Sequence, residues 1–408
     1  MVTRVIPFLA LVICLSIILL AIHSSVEQFG PPDGGILPNI SRRMTLVHYQ
    51  SQSISLNEWL SQLTLCFAPL ATHILTGVPS AVILREPAPS GMNRIGHFNP
   101  TSIVWRYFAI TDRRIRSKAW TASTMAASNA VFWTGRRWDS SESIMIRSKA
   151  WMTRSPYRTR VPLLSASVLG TLIVSVQAVY VLSTMALQIK TRSSPMNLES
   201  VFAPLAVASL VRLLPAMWLS DEWGYRTLNN TMDDSDRLIS HPRRSLAVSS
   251  DLRDEQRNSF TTEEIDKADC MHPQSYWPAV LLRVLYLFVW LCFTAYMAIC
   301  QVTTVGELLS PYPLASTIVD HLLYLFLCLM TFFISLFYIA IGKGNTTVMP
   351  CIGTFWYTAY TITWYIGAVA VVVIRGLETR RTPCGVYTTF PPEAGLDEKL
   401  CATYLRAT

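Results

Sequence analysis

Leu322-Leu323-Tyr324-Leu325-Phe326-Leu327-Cys328-Leu329-Met330-Thr331-Phe332-Phe333-Ile334-Ser335-Leu336-Phe337-Tyr338-Ile339-Ala340-Ile341 is a run of twenty residues without a single charge. About 20 apolar residues in a helix cover the ~30 Å hydrocarbon core of a bilayer, so this run sets the expected fold class. Residues 352–374 form a second charge-free run, of twenty-three, and residues 161–187 a third, of twenty-seven. A fourth, 277–301, carries one charge at Arg283 near its start, where a long side chain can reach the headgroups. The spans are therefore expected at 161–187, 277–301, 318–342 and 352–374. Composition agrees: 51% of the 408 residues are apolar and 15% charged, against about 25% charged in soluble domains. This excludes a plain soluble enzyme and a disordered chain. The expected architecture is all-α: a polytopic α-helical membrane protein with a helical, basic cytosolic insertion.

Three further segments are weaker. Residues 5–22 are apolar behind Arg4, so 1–22 reads as an uncleaved signal anchor or a cleaved signal peptide. The anchor is favoured because His23, Ser24 and Ser25 make a poor cleavage site. The pentapeptide Phe67-Ala68-Pro69-Leu70-Ala71 recurs as Phe202-Ala203-Pro204-Leu205-Ala206, with a second proline downstream at Pro79 and Pro215. Proline inside a helix breaks the hydrogen-bond ladder. Residues 62–84 thus read as a kinked span, a re-entrant piece or an interfacial helix. Residues 200–219, with Arg212 near the middle, read as an interfacial helix or partial span, since a central arginine costs about 2.5–3.5 kcal/mol on insertion scales.

Charge is unevenly placed. The net +8 includes a block at 85–160 with 14 Lys/Arg against 4 Asp/Glu, and an acidic stretch at 221–276 with 7 against 12. The basic block lies between apolar spans, so membrane orientation explains it more simply than nucleic acid, and no nucleic-acid partner is expected. The positive-inside rule then places 85–160 in the cytosol and, from Arg375, Arg380 and Arg381, the tail 375–408 as well. Four spans satisfy that parity and a crossing at 200–219 would break it. The acidic loop 220–276 accordingly reads as non-cytosolic and partly disordered, like 23–61. Asn39 and Asn229 are candidate N-glycosylation sites in those two segments.

Within the basic block, Val104, Phe108, Ile115, Ala119, Ala122, Ala126, Ala130 and Trp133 recur at mostly three- and four-residue spacing, which predicts one helical face. Two placements fit. The helix would lie on an anionic leaflet, or it would pack inward as a small helical domain with a solvated basic surface. The candidate headgroup contacts are Arg113, Arg114, Arg116, Lys118, Arg147, Lys149, Arg154, Arg158 and Arg160. The hexapeptide Ile115-Arg116-Ser117-Lys118-Ala119-Trp120 repeats as Ile146-Arg147-Ser148-Lys149-Ala150-Trp151, but two copies without flanking similarity do not make a repeat array.

Three stretches carry a resemblance. They are Asn99-Pro100-Thr101-Ser102-Ile103-Val104-Trp105-Arg106-Tyr107-Phe108-Ala109-Ile110; Met125-Ala126-Ala127-Ser128-Asn129-Ala130 with Phe132-Trp133; and Leu377-Glu378-Thr379-Arg380-Arg381-Thr382-Pro383-Cys384-Gly385-Val386-Tyr387-Thr388-Thr389. Together they resemble a group of multi-pass membrane proteins of filamentous fungi without an assigned function, over roughly residues 60–390. The resemblance implies an integral membrane location and carries over no catalytic or ligand-binding residue.

Chemical motifs are sparse. Only His73 and His321 lie near apolar segments, too few for membrane haem ligation. There is no C-x-x-C pair, no G-x-S-x-G elbow and no complete phosphate loop, and no cofactor, metal site or disulfide framework is expected. Cys384, beside Arg380 and Arg381, is a candidate for palmitoylation, with an unmodified thiol as the simpler state. Arg212, Arg283, Asp320 and His321 are the candidate intramembrane polar site, although Asp320-His321 at a span start also fits ordinary capping. The sequence thus favours a non-enzymatic membrane protein whose basic cytosolic domain contacts anionic lipid or a protein partner. The alternative is a small-solute transporter or channel using Arg212, Arg283 and Asp320.

Overall fold

The computed structural model describes residues 56–407 except 86, 163, 192–197, 226–269, 308–314, 386 and 391–394. The leader 1–22, Asn39 and Asn229 lie outside the described residues.

The protein is mostly helical, and three of its helices are long and apolar enough to cross a membrane. These are α8 (Trp277–Glu307), α9 (Ala315–Ala340) and α10 (Phe355–Glu378), numbered in chain order over all helices. At 1.5 Å per residue, the 26 residues of α9 extend about 39 Å. They pack antiparallel, with α9 innermost and its contacts with α8 the most extensive in the molecule. α8 turns Leu281, Val284, Leu285, Phe288 and Val289 outward, and α10 turns Ile366, Val369 and Val373 outward, while arginines and carboxylates are buried within. An exposed apolar belt of this extent is unusual on a water-soluble protein, and the interior combines a hydrophobic core with buried charged clusters.

Before them come α1 (Leu56–Gly77), the short strand β1 (Ala81–Ile83), α2 (Gly91–Ile95), α3 (Pro100–Arg116), α4 (Ala122–Asn129), β2 (Val131–Trp133), β3 (Trp138–Asp139), α5 (Glu142–Ser148) and β4 (Met152–Arg154). Then follow α6 (Ala166–Thr191), α7 (Ala203–Ala208) continued by a 3-10 turn over Ser209–Leu213, and β5 (Gly224–Tyr225). The tail holds β6 (Arg380–Arg381), β7 (Tyr387–Thr388) and α11 (Asp397–Ala407).

The bundle has two ends. At the tail end, Arg381 pairs with Glu58 of α1 at 2.6 Å, and Arg375 pairs with Asp320 at 3.2 Å and donates to Ser200 Oγ at 3.0 Å. At the cap end, Gly77 meets α3, Gln274 Nε2 donates to the Gly342 carbonyl at 2.9 Å, and residues 79–160 gather. The weak segments both run from one end to the other. α1 starts at Glu58 and Trp59 beside the tail and finishes at Gly77, with Pro69 inside it. Residues 200–219 start at Ser200 beside Arg375 and finish where Val161 N donates to the Met217 carbonyl at 2.8 Å. The apolar helical part of 200–219, Ala203–Leu213, is shorter than the three long helices. Pro204 sits in the first turn of α7, where a missing N–H breaks nothing, and the two repeated pentapeptides meet through Phe67 and Phe202 at 5.6 Å. Of the four firm spans expected, 161–187 differs: α6 begins at Ala166, and its apolar part among the described residues is Ser167–Tyr180.

The cap departs most from expectation. The single apolar helical face over 104–133 does not exist, because Ser117 turns extended after α3, Thr121 caps a new helix through Thr124 N, and the chain then enters β2. The block is not all-helical either: β1, β2 and β3 form a small sheet, β1 parallel to β2 with Ala81 opposite Val131. Nor does α3 lie on a surface. Asn99 caps it through Thr101 N at 2.9 Å, Pro100 opens it, and every residue but Arg114 and Ile115 is buried. Its N-terminus penetrates the bundle: Asn99 Nδ2 donates to Thr361 Oγ1 at 3.0 Å, Thr101 Oγ1 lies 2.8 Å from both Thr331 Oγ1 and the Tyr360 hydroxyl, and Ser102 Oγ lies 2.6 Å from the Tyr357 hydroxyl. Tyr365, which donates to the Phe98 carbonyl, is ten residues into α10, about 15 Å along it.

Finally, the described ends of the acidic segment, 220–225 and 270–276, lie on the same side as the basic block. β4 pairs with β5, Ser117 bridges to Met271, and His272 N donates to the Arg116 carbonyl at 2.7 Å. Residues joined by backbone hydrogen bonds cannot have a bilayer between them.

Candidate functional site

The nominated polar residues resolve into three clusters. The first is built on Asp112, fully buried near the end of α3. Its carboxylate accepts from Arg116 Nε at 2.8 Å, one turn on, and from Arg283 Nε at 3.0 Å on α8. Arg116 also reaches Glu142 at the start of α5. Arg113 lies across backbone oxygens instead, donating to the Asn345 carbonyl at 3.0 Å and to the Ser140 carbonyl. Three arginines and two carboxylates so tie the cap to α8 and to the turn between α9 and α10. A charge buried without its partner costs several kcal/mol, so these contacts hold the cap in place.

Arg212 forms the second cluster. Its guanidinium is 1% exposed and meets no carboxylate within 4 Å among the described residues. It donates to Thr171 Oγ1 at 2.8 Å, the Tyr107 hydroxyl at 3.0 Å, the Ser167 carbonyl at 3.0 Å, Ser167 Oγ at 3.2 Å and the Thr76 carbonyl. Thr76 is in the last turn of α1, whose unpaired carbonyls carry the negative end of the helix dipole. Arg212 thus fastens α1, α3, α6 and the 3-10 turn after α7. One helical turn from Thr76, His73 Nδ1 lies 2.6 Å from Ser209 Oγ.

The third cluster is at the tail end. Asp320 and Arg375 pair there, and Glu378 Oε2 accepts from Ser316 N at 3.3 Å. His321 is half-buried beside Asp320. Arg212, Arg283 and Asp320 therefore belong to three separate clusters.

Of the basic residues nominated for headgroups, Arg113 and Arg116 are inside the protein, which corrects that assignment: their carbonyl and carboxylate partners are buried with them. Arg114 lies 5.6 Å from the ring centres of both Trp120 and Trp218. Lys118, Arg147, Arg154, Arg158 and Arg160 are exposed and Lys149 is half-buried. Tyr157 and Leu164, in the same stretch before α6, are fully exposed at 99% and 101%.

Cys384 is not a free thiol. It forms a disulfide with Cys401, which corrects both readings of Cys384, the palmitoylation candidate and the unmodified thiol. The β6–β7 hairpin turns at Gly385, whose φ of +87° is in the left-handed region that favours glycine, and α11 brings Cys401 back. The arginines read as orienting the tail all have acidic partners: Arg375 with Asp320, Arg380 with Asp397, Arg381 with Glu58.

Sequence reasoning missed Asp112, Glu142, Tyr107 and Arg375 as partners. Asp112 was findable, since it stands one helical turn before Arg116. Among the described residues no three His, Cys, Asp or Glu side chains converge as a metal site. Fold and clusters together define a mostly helical protein with three helices capable of crossing a membrane. No family model, curated protein or solved structure matches the chain.

Proposed function

We propose that the chain is a polytopic integral membrane protein of the kind its sequence resembles, non-enzymatic, whose cap end faces the cytosol and contacts anionic lipid. The observation that carries this reading is the stretch before α6, where Arg154, Arg158 and Arg160 stand exposed around the outward-facing Tyr157 and Leu164. Each basic residue near an anionic leaflet is worth about 1 kcal/mol, and an aromatic and a leucine among them suit the headgroup boundary. Arg147 and Lys149 extend the same basic surface.

Orientation follows from surface charge and sulfur chemistry. Exposed arginines cluster at the cap end, which favours the cytosol. The Cys384–Cys401 disulfide favours an oxidising compartment for the tail. This reverses the tail assignment drawn from the arginine count.

The test titrates the detergent-solubilised full chain with phosphatidylserine and with phosphatidylcholine and follows thermal stability. The reading expects phosphatidylserine to stabilise selectively and expects Arg154→Gln/Arg158→Gln/Arg160→Gln to lose that selectivity. Equal responses to both lipids, or selectivity unchanged in the triple variant, would contradict it. The transporter reading gains one observation, the burial of Arg212. The separation of Arg212, Arg283 and Asp320 into three closed clusters counts against it.

A further inference from the structure

Like Arg212 and Arg113, Arg106 of α3 is a buried arginine without a carboxylate partner among the described residues. It is 4% exposed, and no acidic group lies within 4 Å of its guanidinium among the described residues. Nη1 donates to the Gly77 carbonyl at 2.9 Å, and Nη2 to Asn129 Oδ1 at 3.2 Å and the Asn129 carbonyl at 3.4 Å. Nε has no partner. A buried unpaired N–H is destabilising, and more so on a charged group.

The same cavity explains three such orphans. A space of about 10 Å³ is lined by His97, Ser102, Arg106, Thr347 and Ile352. His97 Nε2 and Thr347 Oγ1, both buried, lack partners as Arg106 Nε does. The three come from separate parts of the chain: the 3-10 turn before α3, the middle of α3, and the loop between α9 and α10. The volume suits a single water- or chloride-sized occupant.

Electrostatics selects between them. Burial, reinforced by Arg106 and Arg94, pushes the His97 imidazole down to about 3, so it is neutral at physiological pH and its Nε2 can carry the one ring proton. Arg212 adds positive charge from behind Tyr107, and Asp221, the acid that acts most strongly on Arg106, keeps its charge outside the cavity lining, where it accepts from Ser80 Oγ at 3.3 Å. The cavity is therefore a positive, donor-rich enclosure.

We propose that the cavity between His97, Arg106 and Thr347 binds one small monovalent anion of chloride size, taking hydrogen bonds from Arg106 Nε, His97 Nε2 and the Thr347 hydroxyl. The anion supplies a counter-charge in direct contact with Arg106, where no described carboxylate lies within 4 Å, and joins α3 to the α9–α10 loop. This is independent of orientation and of lipid binding.

The test follows thermal unfolding of the detergent-solubilised full chain as sodium gluconate is replaced by sodium chloride or bromide at constant ionic strength. The proposal expects a saturable rise in the midpoint with either halide. Thr347→Val, which keeps the side-chain shape, should weaken the apparent halide affinity about three- to tenfold, as expected for one hydrogen bond. Arg106→Gln should abolish the response; should it not accumulate, Thr347→Val and His97→Phe carry the test. Identical curves in gluconate and halide would mean that the cavity holds only water and would overturn the proposal. A halide response unchanged in both Thr347→Val and His97→Phe would also overturn it, by placing the anion elsewhere.

Discussion

The two copies of Ile-Arg-Ser-Lys-Ala-Trp have one sequence and two fates. In the first, Ile115 and Arg116 end α3, Ser117 turns extended and Lys118 N donates to the Cys270 carbonyl at 3.0 Å. In the second, Ile146, Arg147 and Ser148 end α5, and Lys149, Ala150 and Trp151 continue as a 3-10 turn. Arg116 is 1% exposed and Arg147 faces outward. The position four residues earlier is Asp112 in one copy and Ser143 in the other. One helical turn sets the distance between a carboxylate and an arginine it can hold, and α8 adds Arg283 to the first copy alone. A count of positive charges therefore does not measure a positive surface. The same lesson applies at the tail, where three arginines look orienting and each has an acidic partner.

The strongest way to break this difference is to remove Asp112. Asp112→Ala takes the carboxylate from the buried Arg283 and leaves Arg116 with Glu142 alone, and is expected to cost about 3–5 kcal/mol, read as a large fall in the unfolding midpoint or failure to accumulate. Arg147→Ala, its counterpart in the second copy, should stay within about 0.5 kcal/mol of the parent. A smaller effect follows from moving α3 without touching its charges. A Cβ at Gly77 would lie 2.2 Å from Ile103 Cγ2 and 2.8 Å from the Tyr107 hydroxyl. Gly77→Ala should cost about 1–3 kcal/mol by overpacking and loosen the first copy, measured as faster amide exchange over residues 103–116. The smallest change sharpens the comparison from the other side. Ser143→Asp places a carboxylate one helical turn before Arg147, in the first turn of α5, and should stabilise by about 0.3–0.5 kcal/mol at low salt, with the gain lost at high salt.

How much was legible depends on how far each signal reached along the chain. The expected spans at 277–301, 318–342 and 352–374 each overlap one of the three long apolar helices, because a charge-free run is a local property. The repeated pentapeptides gave no hint that Phe67 and Phe202 would meet. The fate of α3 was hidden by its own composition: Arg106, Asp112, Arg113 and Arg116 make a buried helix look like a surface one. Its partners Thr331, Tyr357, Tyr360 and Thr361 stand more than 200 residues away, a distance across which a single sequence carries no pairing information. The disulfide was closer to hand: Cys384 and Cys401 are the two cysteines after the last apolar run, 17 residues apart.

The central claim is that the cap and the tail occupy opposite sides of a membrane, with the cap in the cytosol. It is tested most directly by glycosylation mapping in microsomes, using a sequon appended after Thr408 on a Gly/Ser linker alongside Asn39→Gln and Asn229→Gln. The account predicts a deglycosylation-sensitive shift from the appended site, and no change of mobility in Asn229→Gln. A glycan that disappears in Asn229→Gln, with the appended site left unmodified, would contradict it.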